Sequence, residues 1–212
     1  MGAMLFYVLE VLTGTGLAAS AGLNAYIPML AMGLLARYTE VINLPSGWQW
    51  LSNGWVIAIL TVLLAIEFVA DKIPVVDHIN DLVQTVVRPT AGGLVFGAGA
   101  GSETVTVTDP ANFFESNQWV PIAAGVVIAL GVHGLKAAAR PVINTATAGI
   151  GAPVASTAED ATSVIMSIVA ILLPALVLVF AVLLIGVAVW VFRRRSARRS
   201  ERAAARAAGF HA

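Results

Sequence analysis

Ionisable side chains are concentrated in two segments of an otherwise apolar chain. Charge in or beside hydrocarbon is costly, so such residues usually face a protein interior, a water-filled cavity or each other. The pattern therefore predicts a membrane protein that handles something polar or ionic. In chain order, the residues concerned are Glu67, Asp71, Lys72, Asp77, His78, Asp81 and Arg88, followed by His133, Lys136 and Arg140.

The first segment forms one polar stripe if it is helical. At about 100° per residue, Glu67, Asp71, His78 and Asp81 fall within roughly an 80° sector, and Arg88 follows close to it. Such a stripe could relay protons, because histidine titrates near neutral pH. Carboxylates with one imidazole also suit a divalent metal ion, although the nearby basic residues argue against a cage of free carboxylates.

Pro74 decides whether that stripe is continuous. Proline lacks an N–H group and kinks or breaks a helix. If the break is sharp, Glu67 and Asp71 end one helix and the remaining acidic residues begin the next. In that case Asp77 is a candidate cap for the second helix.

The second segment is basic or neutral, and its residues His133, Lys136 and Arg140 fall on one helical face. The two segments could simply pair between helices, which prevents buried charges from being orphaned. Alternatively, they line a path or binding site for a small ion or polar solute. A third possibility is that Arg88 and Arg140, each followed by proline, bind a lipid phosphate at a helix N-terminus.

Residues 13–28, TGTGLAASAGLNAYIP, form another candidate site. Their glycines predict a break between two helices, with Ser20, Asn24 and Tyr26 beside it. Unwound backbone at such a break could coordinate a substrate, as in carriers with broken helices. The competing interpretation is a tight turn in which Asn24 caps the second helix.

Composition places the chain in the membrane class. Only 11% of the 212 residues are charged and the mean hydropathy is +0.87, whereas soluble domains are about 25% charged. The lack of cysteine excludes disulfides and thiolate metal ligands. Two internal histidines and no nucleophile motif give weak support to enzyme chemistry, and no cofactor is expected.

The formal net charge of zero hides an asymmetry between the two ends of the chain. Residues 193–212 hold seven arginines against one glutamate, and residues 1–192 hold five basic against eleven acidic side chains. We therefore predict an integral membrane domain over 1–192 and a frayed basic tail over 193–212. The positive-inside rule makes that tail cytoplasmic, in the inner (cell) membrane. Nucleic-acid binding is the less favoured interpretation of the tail.

Hydropathy predicts an all-α, polytopic helix bundle in the lipid bilayer. A spanning helix needs about 17–25 apolar residues, and segments 166–192, 54–70 and 119–135 meet this most clearly. Two weaker stretches, 89–101 and 141–158, could span the membrane or re-enter it. The bundle would then contain five to seven membrane segments, with broken or re-entrant helices.

If both weaker stretches cross, the charges sort by side. The basic residues of the two charged segments fall at cytoplasmic ends. Glu159 and Asp160 then fall outside the membrane, together with the acidic residues of a polar loop over 102–118.

Small residues suggest how the helices pack. Gly93, Gly97 and Gly101 recur every four residues, a spacing that lets helices approach closely. We expect packing within the bundle, with a homo-oligomer contact as the alternative. The order of tryptophan, apolar span, charged arm and Arg-Pro from Trp55 recurs from Trp119, which suggests a possible internal duplication.

Three segments carry a resemblance: GLNAYIPMLAMGLLARY (22–38), EFVADKIPVVDHINDLVQTVVRPTAGGL (67–94) and HGLKAAARP (133–141). On these motifs the chain resembles a bacterial multi-spanning membrane family catalogued as domain of unknown function 4126. The resemblance covers roughly residues 10–185 and leaves out the arginine tail. It implies a compact multi-spanning protein and transfers no functional residue.

The leading hypothesis from sequence is a small transporter- or channel-like protein. The acidic stripe would line a polar path or coupling site, with Lys136 and Arg140 as counter-charges. The alternatives are a protein that handles lipid head groups, as a flippase or membrane enzyme, and a structural or regulatory membrane subunit whose charges only pair internally.

Overall fold

The fold is seen in a computed structural model. It describes residues 2–71, 74–101, 117, 119–147, 151–179, 182–183, 186, 189–190 and 193, without the side chains of 74–79, 81, 144, 146 and 152. This part of the chain is all-α, as predicted. Its helices are α1 (Gly2–Leu23), α2 (Tyr26–Tyr38), a 3₁₀ helix (Ser46–Ser52), α3 (Gly54–Ala70), α4 (Pro74–Gly99), α5 (Trp119–Thr147), α6 (Gly151–Leu172) and a second 3₁₀ helix (Pro174–Leu176).

The chain forms two compact units, Met1–Val177 and Leu178–Ala212. All contacts given below lie within the first unit. The predicted span over 166–192 is interrupted at its proline, because α6 ends at Leu172 and a short 3₁₀ helix begins at Pro174. The basic tail beyond Arg193 lies outside the described residues.

Three of the described helical segments are long and apolar enough to cross a membrane: Gly2–Leu23, Trp119–Ile143 and Pro153–Leu172. The first 3₁₀ helix and α3 form a fourth candidate, with a bend of 60° between them. These segments indicate a membrane protein.

The outer face of α3 agrees with a lipid environment. Ile59, Val62, Ile66 and Val69 recur at helical spacing, and each is more than half exposed. A contiguous apolar face of this kind is unusual on a soluble monomer. Lipid chains therefore fit this face better than water does.

Segment 13–28 separates two helices, as predicted, but its glycines do not interrupt α1. α1 continues through Gly16 and Gly22 and ends at Leu23. A Cβ atom on Gly16 would lie 2.6 Å from the Cβ of Ala170, and one on Gly22 would lie 2.7 Å from the carbonyl oxygen of Ala129. These glycines therefore mark close contacts with neighbouring helices.

The break between α1 and α2 lies at Asn24. Its Oδ1 accepts hydrogen bonds from the backbone amides of Tyr26 (3.0 Å) and Ile27 (3.2 Å). Since the first amides of a helix have no partner within the helix, this side chain satisfies two of them. The capping role predicted for Asn24 is confirmed.

The stretches 89–101 and 141–158 are not separate membrane segments, so that prediction was wrong. Pro89 lies inside α4 and Pro141 inside α5, and residues 151–158 form the start of α6. Proline is tolerated inside a membrane helix where neighbouring groups satisfy the carbonyl that it leaves free. The two Arg-Pro pairs therefore lie within helices and not at their starts.

The contact between α4 and α5 depends on glycine. A Cβ atom on Gly125 would lie 2.3 Å from the carbonyl oxygen of Gly92, and one on Gly92 would lie 2.3 Å from the Cβ of Ala129. Real Cβ atoms do not approach so closely, so the two backbones touch only because both positions lack a side chain.

The first two glycines of the predicted stripe, Gly93 and Gly97, are buried within this chain. A Cβ atom on Gly93 would lie 2.9 Å from Val126 and 3.0 Å from Ile122, and Gly97 is buried. Gly101 follows α4 with a φ of 64°, which favours glycine. Packing is thus confirmed for Gly93, and a homo-oligomer contact remains a prediction.

The internal duplication also remains a prediction. Trp55 and Arg88 lie on two helices, whereas Trp119 and Arg140 lie on one.

Substituting Gly125 tests this contact. Gly125→Ala should destabilise the protein by about 1–3 kcal/mol, because the added methyl group forces α4 and α5 apart. Gly131→Ala, on the same helix, is the matched control, since no atom lies within 4 Å of its Cβ position. It should be neutral or slightly stabilising. Thermal unfolding in detergent measures both, and equal effects would contradict the packing.

Candidate functional site

A buried cluster joins Glu67 of α3, Arg88 of α4 and His133 of α5. The Nη2 of Arg88 donates to Oε1 of Glu67 at 2.9 Å, and its Nη1 donates to Nδ1 of His133 at 3.1 Å. Arg88 is 0% exposed, Glu67 2% and His133 6%. One guanidinium therefore links an acidic and an imidazole side chain away from solvent.

The hydrogen bonds define the protonation state of His133. A guanidinium only donates, so Nδ1 of His133 must accept from Arg88. The Nε2 of the neutral ring then carries the proton and donates to Oγ1 of Thr85, 3.2 Å away. His133 is thus held neutral between a cation and a hydroxyl group.

This Glu67–Arg88–His133 cluster is not fully satisfied by hydrogen bonds. Among the described residues, Oε2 of Glu67 and Nε of Arg88 are buried without a partner, as is Oε1 of the neighbouring Gln84. Buried polar atoms without partners are uncommon, and each needs an explanation in a catalytic, transport or water-binding role.

A second buried cluster brings together Asp71, Lys136, Arg140 and Glu159. Nζ of Lys136 lies 2.8 Å from Oε2 of Glu159 and 3.7 Å from Oδ2 of Asp71. Nη2 of Arg140 lies 3.1 Å from the same glutamate oxygen and 3.5 Å from the same aspartate oxygen. Two basic residues of α5 thus share two carboxylates, one at the end of α3 and one on α6.

Neutral groups complete this Asp71–Lys136–Arg140–Glu159 cluster. Nη2 of Arg140 donates to Oγ of Ser156 at 2.9 Å, and Nδ2 of Asn80 donates to Oδ1 of Asp71 at 2.7 Å. Nζ of Lys136 also donates to the carbonyl oxygen of Leu23 at 3.4 Å. The cluster therefore reaches the last residue of α1.

The positions of the two clusters follow from the end of α3. Glu67 lies in its last turn, and Asp71 follows it with a backbone N–H that donates to the Glu67 carbonyl at 2.9 Å. The two carboxylates are thus one helical turn apart, and each faces a different set of basic residues. Asp71 and Lys136 are close enough to act electrostatically on Glu67, so the clusters are neighbours.

Pairing between the two predicted segments is confirmed for Asp71, which contacts Lys136 and Arg140, and for Arg88, which contacts His133. Glu67 pairs with Arg88 of its own segment. The sharp form of the Pro74 break is also confirmed, since α3 ends at Ala70 and α4 begins at Pro74. Proline suits the first position of a helix, where its missing N–H has no partner anyway.

The other predicted site residues of the first segment fall largely outside the described residues. Asp77 does not cap α4, because the helix begins three residues earlier, so that prediction was wrong. Lys72 and the side chains of Asp77, His78 and Asp81 lie outside the described part of the chain. Their place in a polar path stays a prediction.

Glu159 and Asp160 were wrongly predicted to lie on the opposite side of the membrane from the basic residues. Glu159 contacts Lys136 and Arg140 directly. The error arose because 141–158 was treated as a crossing, whereas α5 continues to Thr147 and α6 begins at Gly151. Asp160 faces α1, where its Oδ1 accepts from Nδ2 of Asn24 at 3.0 Å.

A seam of hydroxyl groups between α1 and α6 was missed in the sequence. Oγ of Ser20 lies 2.7 Å from the hydroxyls of both Ser163 and Ser167, and all three residues are fully buried. A usable signal existed, because Ser156, Asp160, Ser163 and Ser167 recur at helical spacing on α6.

An open apolar groove of about 510 Å³ lies along α6, lined by Pro153, Val154, Thr157, Ala158 and Ala161. These residues do not belong to either buried cluster. As to metal binding, the described residues contain no group of three or more His, Cys, Asp or Glu placed to hold a metal ion. Neither feature adds a functional group to the two clusters.

A family model described as Domain of unknown function (DUF4126) matches residues 11–194. The chain belongs to this family. The match extends beyond the span expected from the three motifs and includes the first arginines of the tail. No curated protein and no solved structure matches the chain. Since membership in this family names no activity, function must be argued from the two clusters.

A double-mutant cycle tests the Glu67–Arg88 pair. Arg88→Gln should destabilise the protein by about 3–5 kcal/mol, because it leaves the Glu67 carboxylate buried without a counter-charge. Glu67→Gln should destabilise the protein by a similar amount, because it leaves the Arg88 guanidinium buried without a counter-charge. The double variant, which removes both charges, should be more stable than either single variant in denaturant unfolding.

The control for this cycle is Glu40→Gln, which makes the same chemical change at an exposed position and should leave stability within about 0.5 kcal/mol. Additive effects of the two buried substitutions would show that the charges do not stabilise each other.

Proposed function

We propose that the protein is a small transporter- or channel-like membrane protein that moves an ion or small polar solute along a charged path. The path would pass the two buried clusters between α3, α4, α5 and α6. The observation that carries this proposal is the incomplete satisfaction of the first cluster, where Glu67 Oε2 and Arg88 Nε lack partners among the described residues. A network with only a structural role would be expected to satisfy its members fully.

The concentration of buried ionisable side chains in the two clusters also supports the proposal. Asp71 after α3 and Glu159 of α6 meet two basic residues of α5 in one cluster, and Glu67 and Arg88 meet in the next. Ionisable groups within membrane helices are costly and typically mark ion or substrate pathways. If these residues served stability alone, well-packed apolar residues in their place would stabilise the bundle as well or better.

Interrupted helices beside the clusters support it further. α1 ends at Leu23 and α3 at Ala70, and both ends adjoin the second cluster through the Leu23 carbonyl and Asp71. Carriers place substrate and ion sites where membrane helices are broken, because free backbone groups become available there.

The lipid-phosphate alternative has less support. Both guanidiniums on which it relies, those of Arg88 and Arg140, contact carboxylates of the protein. Neither arginine begins a helix, so no helix N-terminus adds its amides for a phosphate. A structural or regulatory subunit is favoured by the internal pairing, and opposed by the unpartnered atoms of the first cluster.

We place the protein in the inner membrane with its C-terminus in the cytoplasm. The support for this orientation is the excess of arginine after residue 192 and the positive-inside rule.

Asp71→Asn tests the proposed path. The variant should fold, since the introduced amide oxygen can still accept from Asn80 and both basic residues keep Glu159 as a partner. Its flux should fall at least about tenfold, as expected where a charged group stabilises the moving species by about 1.4 kcal/mol or more. The measurement is solute or ion flux in proteoliposomes, followed with trapped pH-sensitive and cation-sensitive dyes.

Glu40→Gln, the exposed change from carboxylate to amide, is the control and should keep full flux. Size-exclusion profiles and unfolding temperatures of all variants establish that they are folded. Normal flux in a folded Asp71→Asn protein, or no flux of any tested ion or solute in the native protein, would contradict the proposed function.

A further inference from the structure

The ammonium group of Lys136 is held by oxygen atoms from three other helical segments. Its Nζ lies 2.8 Å from Oε2 of Glu159 on α6, 3.4 Å from the carbonyl oxygen of Leu23 at the end of α1, and 3.7 Å from Oδ2 of Asp71 after α3. The lysine enters this oxygen cage from a fourth helix, α5. Its ammonium is almost completely buried, with the side chain 2% exposed.

The donor atoms of the cage are those that bind small cations. Two are carboxylate oxygens. The third belongs to the last residue of α1, where carbonyls have no partner within the helix and the helix dipole is negative. Carboxylates combined with free backbone carbonyls at helix C-terminal ends are how carriers coordinate monovalent cations.

The charge of the present occupant sets the charge of any replacement. Lys136 brings one positive charge to the carboxylates of Glu159 and Asp71, and Arg140 contacts both of these carboxylates as well. A cation that took the place of the ammonium without changing the net charge of the cage would carry a single charge.

Lys136 is better suited than Arg140 to leave its place. Arg140 is fixed by a hydrogen bond to Ser156 at 2.9 Å in addition to its two carboxylates. A lysine ammonium is a compact charge on a flexible four-carbon stem. Of the two side chains, Lys136 is therefore the better candidate to move aside while Arg140 stays in position.

We propose that this cage is a monovalent-cation subsite, and that the Lys136 ammonium is its built-in occupant. The cargo class is a small monovalent cation, either an ammonium or alkylammonium ion or an alkali metal ion, which competes with Lys136 for the same oxygens. The assignment of this cation as cargo rests on the proposed transport function. The cage itself rests only on the contacts of Lys136.

Two variants of Lys136 test the cage. Lys136→Ala removes the ammonium and opens the cage, whereas Lys136→Met removes the same charge but fills the space. Ammonium or methylammonium chloride, at about a hundredfold excess over its dissociation constant, should raise the Tm of Lys136→Ala by about 5–10 °C. Lys136→Met, the native protein and tetramethylammonium with any variant should show no such shift.

Sodium and potassium chloride, at the same ionic strength, form the second arm of this experiment. Stabilisation of Lys136→Ala by these salts identifies an alkali-ion site, and stabilisation by the amines alone identifies an ammonium site. Equal stabilisation of the Ala and Met variants, or no stabilisation of the Ala variant by any of these cations, overturns the inference.

If Lys136→Ala does not fold without an added cation, its folding is compared in ammonium, sodium, potassium and tetramethylammonium chloride at the same ionic strength. Folding in none of the first three salts, or equal folding in all four, also overturns the inference. Flux of the same cations through the native protein is measured separately. Cation binding by the variant with no flux in the native protein supports the cage and contradicts the proposed function.

Discussion

Neutralisation of the carboxylates at the end of α3 is the constraint on which the rest of the structure depends. Glu67 and Asp71 are almost fully buried, and an isolated charge in such a place would cost several kcal/mol. Each therefore needs a cation from another helix, which Arg88 supplies to the first and Lys136 and Arg140 supply to the second. These ion pairs bring α3, α4 and α5 together, and Glu159 adds α6 to the same set.

Close helix packing is the condition that makes these contacts possible. α4 and α5 touch at Gly92 and Gly125, where neither helix has a side chain. This contact lies one turn beyond Arg88 on α4 and two turns before His133 on α5, so both reach the same polar cluster. On the other side, Gly22 lets α1 approach α5, which places the Leu23 carbonyl near Lys136. Glycine positions therefore set the geometry of the charged clusters.

Much of the charged site could be predicted from local periodicity, and the rest could not. Glu67 and Asp71 share a face by spacing alone, as do His133, Lys136 and Arg140, and Pro74 marked the break between α3 and α4. Glu159 was missed because its partner Lys136 is distant in sequence and the assumed crossing over 141–158 put them on opposite sides. The arginine-proline pairs wrongly predict helix starts, because proline breaks helices in water, where no neighbouring helix satisfies the freed carbonyl.

The two clusters differ in a way that separates their physical roles. In the second cluster, Lys136 and Arg140 share the same two carboxylates, so one cation can leave while the other still neutralises part of the charge. The first cluster has one acid and one guanidinium, with His133 held as a neutral acceptor. Movement of Arg88 would leave Glu67 without any compensating charge among these contacts. The second cluster is therefore the better placed of the two for the proposed exchange of a cation, whereas the first depends on Arg88 staying in position.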